Sequence, residues 1–211
     1  MLRDSTMLIA IVGSDGAGKS TAAAALTAEL RQRGTHATVL DRWDILNNPG
    51  HYPTATFLRA QSGEIREGLI EMRQVPRFLF LMWTISLAVT RAESHRSHVF
   101  VMDGYWMKHA ASEIAYGLDA TWTENVVAGL RRPDRVFYLR LDPDLAWSRK
   151  QRGQVVPYEC GMDATCSYGS FLSHQRKITA QLDLWSARDN WTTLDAARTS
   201  PEVTADLLDR L

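Results

Sequence analysis

Residues 13 to 21 read GSDGAGKST, and Gly13 through Ser20 fit the pattern Gly-x-x-x-x-Gly-Lys-Ser/Thr. Glycine at 13, 16 and 18 lets the backbone wrap closely around an anion with its N–H groups turned inward. A helix beginning just behind such a loop adds its positive end. The whole stretch, Gly13, Ser14, Gly16, Ala17, Gly18, Lys19, Ser20 and Thr21, is therefore the expected seat of a nucleoside triphosphate. Lys19 is expected to reach the terminal phosphates, and Ser20 to ligate Mg²⁺ through its hydroxyl. Such a loop does not say where the last phosphate goes. The receiver is water in a hydrolase and a second molecule in a kinase.

Three further groups bear on that choice. Asp103 closes the apolar run HVFVMD, where the second acidic residue of a triphosphate site holds the metal or its water. Asp15 lies inside the phosphate loop, where a switch GTPase has no need of a carboxylate. In a kinase it would bind an acceptor hydroxyl or help arrange the metal. SRKQRG, residues 148 to 153, brings Arg149, Lys150 and Arg152 together without an acid. That is either a solvated helix end or a lid that closes arginines over the transferring phosphate and excludes water. Excluding water makes sense only when water is the wrong acceptor, which favours a kinase. No Asn-Lys-x-Asp stretch is present to read guanine, and no Gly-x-Gly-x-x-Gly to hold a dinucleotide.

These residues need elements to carry them. MLIAIV, 7 to 12, reads as a strand buried on both faces, and residues 19 to 34 as an alanine-rich helix. Strand, glycine loop and helix is the context the motif requires. Further strands are expected over 36–41, 98–103, 135–141 and 190–195. Helices are expected over 54–73 and 76–97, separated by QVP, then 108–116, 122–131, a short one capped by Asp142, 168–189, and a last one capped by Ser200. The alternation implies an α/β fold: one domain over 1–211, with a parallel sheet of about five strands and helices on both faces, and a short lid is expected near 149–168. Ligands of such sheets gather at the carboxyl ends of the strands.

Composition narrows the class. The 211 residues are 45% hydrophobic, enough for one sizeable core. Basic and acidic residues balance at 24 each, which argues against a nucleic-acid partner. The longest uncharged apolar run, residues 78 to 90, is short of the roughly 20 that span a bilayer, so a buried helix in a soluble, cytoplasmic protein without membrane contact is expected. Cys160 and Cys166 have no metal-ligand spacing. They are expected as free thiols, with a disulfide closing their loop as the alternative.

Taken together, IVGSDGAGKSTAAAAL, VFVMDGYW and PDRVFYLRLDPDLAWSRKQRG, followed by SYGSFLSHQRKITAQ and NWTTLDAARTSPEVTADLL, resemble the thymidylate kinases over nearly the whole chain. The resemblance implies a P-loop kinase fold with a five-stranded parallel sheet, ATP–Mg²⁺ as donor, and often a homodimer. Carried over by position, Asp15 meets the acceptor or its metal, Arg42 faces the acceptor phosphate, Arg149 and Arg152 contact ATP, and Phe80 lies near the acceptor base. The departures fall on the acceptor side. Gly104 stands between Asp103 and Tyr105 where the family usually has arginine, and LFLMWTIS, with Trp83, lacks the arginine that reads the base. Lys108 or His109 is the candidate replacement charge. Acceptor-side candidates are thus Asp15, Arg42, Phe80, Trp83, Tyr105 and Lys108. The expected activity is ATP-dependent transfer to a nucleotide, a nucleoside or a similar small molecule. An authentic dTMP kinase, a catalytically silent nucleotide-binding protein and an ATPase are the alternatives.

Overall fold

The computed structural model of the protein describes residues 6–53, 55, 62–95, 98–150 and 155–211. Five strands form one wholly parallel sheet: β1 (Met7–Val12), β2 (Ala37–Leu40), β3 (Val99–Asp103), β4 (Arg135–Arg140) and β5 (Thr192–Asp195). Their order is β2-β3-β1-β4-β5, so β1 is central and the chain leaves it in both directions. That reversal opens a crevice at the carboxyl end of β1, where the phosphate loop begins.

Alternation along β1 builds two cores. Leu8, Ala10 and Val12 face one side and Ile9 and Ile11 the other, all fully buried. The first side packs on α4 (Gln74–Glu93), α5 (Trp106–Ala115) and α8 (Tyr168–Asp189) through residues such as Phe78, Ile85, Ala110 and Trp185. The second side packs on α1 (Lys19–Gln32), α7 (Pro143–Arg149) and α9 (Ser200–Asp209) through Leu26, Ala146 and Leu207. Two further helices, α3 (Ser62–Glu71) and α6 (Ala120–Val127), add Leu69 and Val127 to the first side, and α2 (Asp44–Asn47) packs Ile45 on Tyr52 in a small cluster of its own.

Several sequence expectations change. QVP does not separate two helices: Gln74, Val75 and Pro76 form the first turn of α4, where a proline's missing N–H is no loss. The expected helix over 54–73 is described only from Ser62, and 54 and 56–61 lie outside the described residues. The cap of α9 is Thr199 rather than Ser200: its backbone N–H donates to Glu202 Oε2 at 2.9 Å, completing a capping box. Asp142 does cap α7, accepting from the Asp144 N–H at 2.8 Å. By length and composition α4 could cross a membrane, but it sits on the sheet with Phe78 and Ile85 fully enclosed, as a core helix does.

The cysteines are the largest correction. Cys160 and Cys166 are joined in a disulfide rather than free. Gly161, Met162 and Cys166 all take positive φ, folding the intervening loop back until the two Cα atoms stand 5.3 Å apart. Cys160 is buried in the second core, so the bridge ties the loop to the body of the protein.

Candidate active site

The donor side is built by β1, the loop after it and α1. A side chain at Gly13 would come within 2.7 Å of the Leu139 carbonyl on β4, so only glycine lets the loop rise here. Lys19 opens α1 and turns its ammonium back onto the loop, donating to the Ser14 carbonyl at 2.7 Å. Burial lowers its pKa to about 8, against the opposing pull of the Asp15 carboxylate and with the push of Lys108. Beside the loop runs a groove of about 300 Å³ lined by Gly16, Gly18 and Thr21 on one wall and Ala196, Thr199 and Val203 on the other. Arg149 lines it too, but both its η nitrogens are engaged, donating to the Ala196 and Ala197 carbonyls at 2.7 and 3.0 Å. It builds the groove wall as found, rather than reaching over a transferring phosphate. Arg152, the other expected lid arginine, lies outside the described residues.

Asp103 ends β3 in register with Ile11 of β1, two residues ahead of the phosphate loop. The chain then turns at once: Gly104 has φ 65° and donates its N–H to the Ile11 carbonyl at 2.9 Å. A side chain there would lie in ordinary contact with Lys19 Cε at 3.6 Å, so what favours glycine is the left-handed conformation. Asp103 is close enough to Lys19 for its charge to raise the lysine's pKa. The hydroxyl of Ser20 and the carboxylate of Asp103 are both hard oxygen donors. Among the described residues no group of three or more His, Cys, Asp or Glu could hold a metal. Such a sparse set suits Mg²⁺, which keeps waters and phosphate oxygens for most of its shell.

Asp15 and Gly16 are neighbours in the loop, yet Gly16 lines the donor groove and Asp15 lines a second cavity, of about 260 Å³. The carboxylate is 13% exposed, with Lys108 Nζ 3.0 Å from Oδ1. Burial would raise its pKa, but Lys108 and Lys19 outweigh that and hold it well below the carboxylate range. From α8, Gln175 grips the same residue twice: Nε2 donates to Asp15 Oδ2 at 3.2 Å, and Oε1 accepts the Asp15 N–H at 3.0 Å. Gln175 Nε2 also donates to the Glu159 carbonyl at 2.9 Å, and the Glu159 carboxylate pairs with Lys150. The turn Pro157–Cys160 is therefore tied to the phosphate loop through one glutamine.

Besides Asp15 and Leu69 of α3, the second cavity gathers side chains from the segment after β2, from α4 and α5, and from the turn at Tyr158. Arg42 and Trp43 enter after β2, held in place because Asp44 on α2 is pinned by Arg91 of α4 at 2.7 Å. Lys108 and His109 come from α5, and the Arg42 and His109 side chains meet at 3.4 Å. Burial, then Arg42 and Lys108, drive the His109 pKa well below its usual value, so this imidazole is neutral. Arg77 and Leu81 come from one face of α4. Arg77 is 3% exposed and forms a two-pronged pair with Glu113 of α5, at 2.5 and 2.8 Å. Its faces are covered by Tyr116 and Tyr158, each ring 5.0 Å away. Tyr158, in the turn Pro157–Cys160, closes the cavity from the lid side.

The structure thus brings Asp15, Arg42 and Lys108 together, and leaves other acceptor-side candidates out of the cavity lining. Phe80 and Trp83 of α4 do not line it: Trp83 packs with Ile45 and Tyr52, and the Phe80 ring lies 6.1 Å from that of Trp83. Tyr105 is fully buried and donates its hydroxyl to the Arg131 carbonyl. Arg77, Glu113, Tyr158 and Gln175 were not anticipated. The signal was present for Arg77, which stands four residues before Leu81 and so shares its face.

The sequence model of the family described as "Thymidylate kinase" matches residues 11–207. A thymidylate kinase of Coprothermobacter proteolyticus is 31% identical over 159 residues, 69% of this chain and 72% of that protein. One of Danio rerio is 26% identical over 205 residues, 96% of this chain and 88% of that one. A probable thymidylate kinase of Archaeoglobus fulgidus is 28% identical over 156 residues, 72% of this chain and 74% of its own. A phosphate loop at the switch point of a five-stranded parallel sheet, with a second cavity opening on its aspartate, is the setting of that match: the chain belongs to the thymidylate kinase family and is a kinase.

Proposed function

We propose that the protein transfers the γ-phosphoryl group of ATP to the phosphate of a nucleoside monophosphate. One observation carries this reading: adjacent loop residues, Asp15 and Gly16, line two separate cavities, so two substrates can meet at the loop from opposite sides. The donor lies in the groove along α1 and α9, with its phosphates on the loop amides and Lys19. The acceptor fills the cavity between α4, α5 and the turn at Tyr158. Ser20 and Asp103 would hold Mg²⁺, which would supply neutralisation of the phosphate charge.

The charge pattern favours an acceptor that is already anionic. Lys108, Lys19 and Lys150 all act on a single carboxylate, Asp15, and Arg42 lines the same cavity. A monophosphate is ionised near neutrality, so its oxygen attacks the γ-phosphorus, the bond to the bridging oxygen breaks, and ADP leaves without a base being required. A free hydroxyl would need a base tuned near the working pH. Asp15 is too acidic for that task, being held down by two lysines. Thymidylate is the first acceptor to test, since the relatives bear its name.

The test is ADP release from ATP–Mg²⁺ against nucleoside monophosphates, free nucleosides and small hydroxyl compounds, with a no-acceptor control. A response confined to monophosphates is expected. A response to nucleosides alone, or hydrolysis independent of acceptor, would overturn the reading. Lys19→Ala should keep the fold and lose about a hundredfold or more in kcat/KM, the scale of removing one preorganised charge donor.

A further inference from the structure

Lys108 is an unusual residue to find inside a cavity. It sits in the first turn of α5, 5% exposed, with its ammonium 3.0 Å from Asp15 and 5.2 Å from the Tyr158 ring centroid. Burial penalises its charge, yet Asp15 more than compensates and the lysine stays protonated. The carboxylate does not depend on Lys108 for its position. Gln175 fixes Asp15 through both backbone and side chain. The lysine is the movable partner, a point charge on a four-carbon stem. The other cations among the described lining residues are Arg42 and Arg77, and Arg77 is neutralised by Glu113.

We propose that Lys108 is the ligand of the acceptor's phosphate, and that its ion pair with Asp15 is a resting contact exchanged for that phosphate when the acceptor enters. Asp15 and the incoming phosphate then compete for one ammonium. The exchange leaves Asp15 held by Gln175 and turned toward Lys19, and it brings the acceptor phosphate to the boundary between the two cavities. This assignment rests on the monophosphate reading above and gives it a specific consequence. Removing the charge of Asp15 should tighten acceptor binding while removing that of Lys108 should weaken it. If Lys108 served only to hold Asp15, both changes would act in the same direction.

The experiment is calorimetric titration of thymidine monophosphate and of thymidine, without ATP, into the wild type, Lys108→Met, Asp15→Asn and the double variant. Should the acceptor panel select another monophosphate, that compound and its nucleoside are used. Lys108→Met should weaken the monophosphate by at least about tenfold, the low end for a charge-assisted hydrogen bond, and leave the nucleoside unchanged. Asp15→Asn, which keeps the Gln175 contact through its amide oxygen, should tighten the monophosphate severalfold. The double variant should lose that gain. Lys108→Met binding the monophosphate like the wild type, or the gain surviving in the double variant, would overturn the assignment. If Lys108→Met does not fold, Asp15→Asn alone decides, because unchanged or weakened monophosphate binding contradicts the exchange. A wild type that binds nucleosides and no monophosphate would instead sink the functional reading itself.

Discussion

Lys19 is a buried ammonium pushed to a pKa of about 8 by its surroundings. Before ATP arrives, it is protonated below that pH and neutral above it. Its charge is what the phosphates bind, so kcat/KM for ATP should fall as pH rises through about 8. Bound phosphates restore the charge, so kcat should hold to higher pH. A kcat/KM profile flat to well above that value would show that Lys19 keeps its proton in the free enzyme. The donor residues were legible in the sequence because a phosphate loop is a local device: backbone amides and the lysine that follows them belong to one short run, GSDGAGKST. Lys108 was legible only as a spare charge near Gly104. Its contact with Asp15 joins a loop and a helix far apart in the chain and depends on how α5 packs against the sheet.

At the scale of elements, α4 and α5 are latched by Arg77 and Glu113, both shut away from solvent. Burial alone would lower the arginine's pKa, but the carboxylate raises it, so the guanidinium is held charged. Glu113→Ala would leave a buried guanidinium unpaired and should cost about 3–5 kcal/mol in denaturant unfolding. The double change Arg77→Met with Glu113→Leu should recover most of that loss, while altering which acceptors bind, because Arg77 lines their cavity. The strands were readable as apolar runs, since a parallel sheet covered on both faces needs apolar side chains on both. α4 was readable as a helix, but its inward face was not: the aromatic residues Phe80 and Trp83 drew attention from Arg77 and Leu81, which share the face that meets the cavity. QVP misled because proline breaks a helix interior and is welcome in a first turn.

Across the whole molecule, the bridge between Cys160 and Cys166 fastens the loop they close to the second core. The closed loop is short, with a sequence separation of 6, so its entropic contribution is modest, about 2 kcal/mol. A reducing agent, or Cys166→Ser, should lower the unfolding free energy by about that amount; no change would mean the unfolded chain gains little freedom from losing the bridge. Pairing was not legible because two cysteines at this spacing fit a thiol pair equally well. What decided it was a run of positive-φ residues, only one of them glycine. Finally, Gln175 joins the phosphate loop at Asp15 to the Glu159 carbonyl, next to the Tyr158 that walls the second cavity. A single side chain thus connects the loop that the two cavities share to the wall of one of them, and thermodynamic linkage between the two ligands is expected. Whatever factor an ATP analogue contributes to the acceptor's affinity, the acceptor must return to the analogue's. Paired titrations should give two equal factors greater than one, and Gln175→Leu should bring both toward unity; a variant that left the coupling intact would place the communication elsewhere.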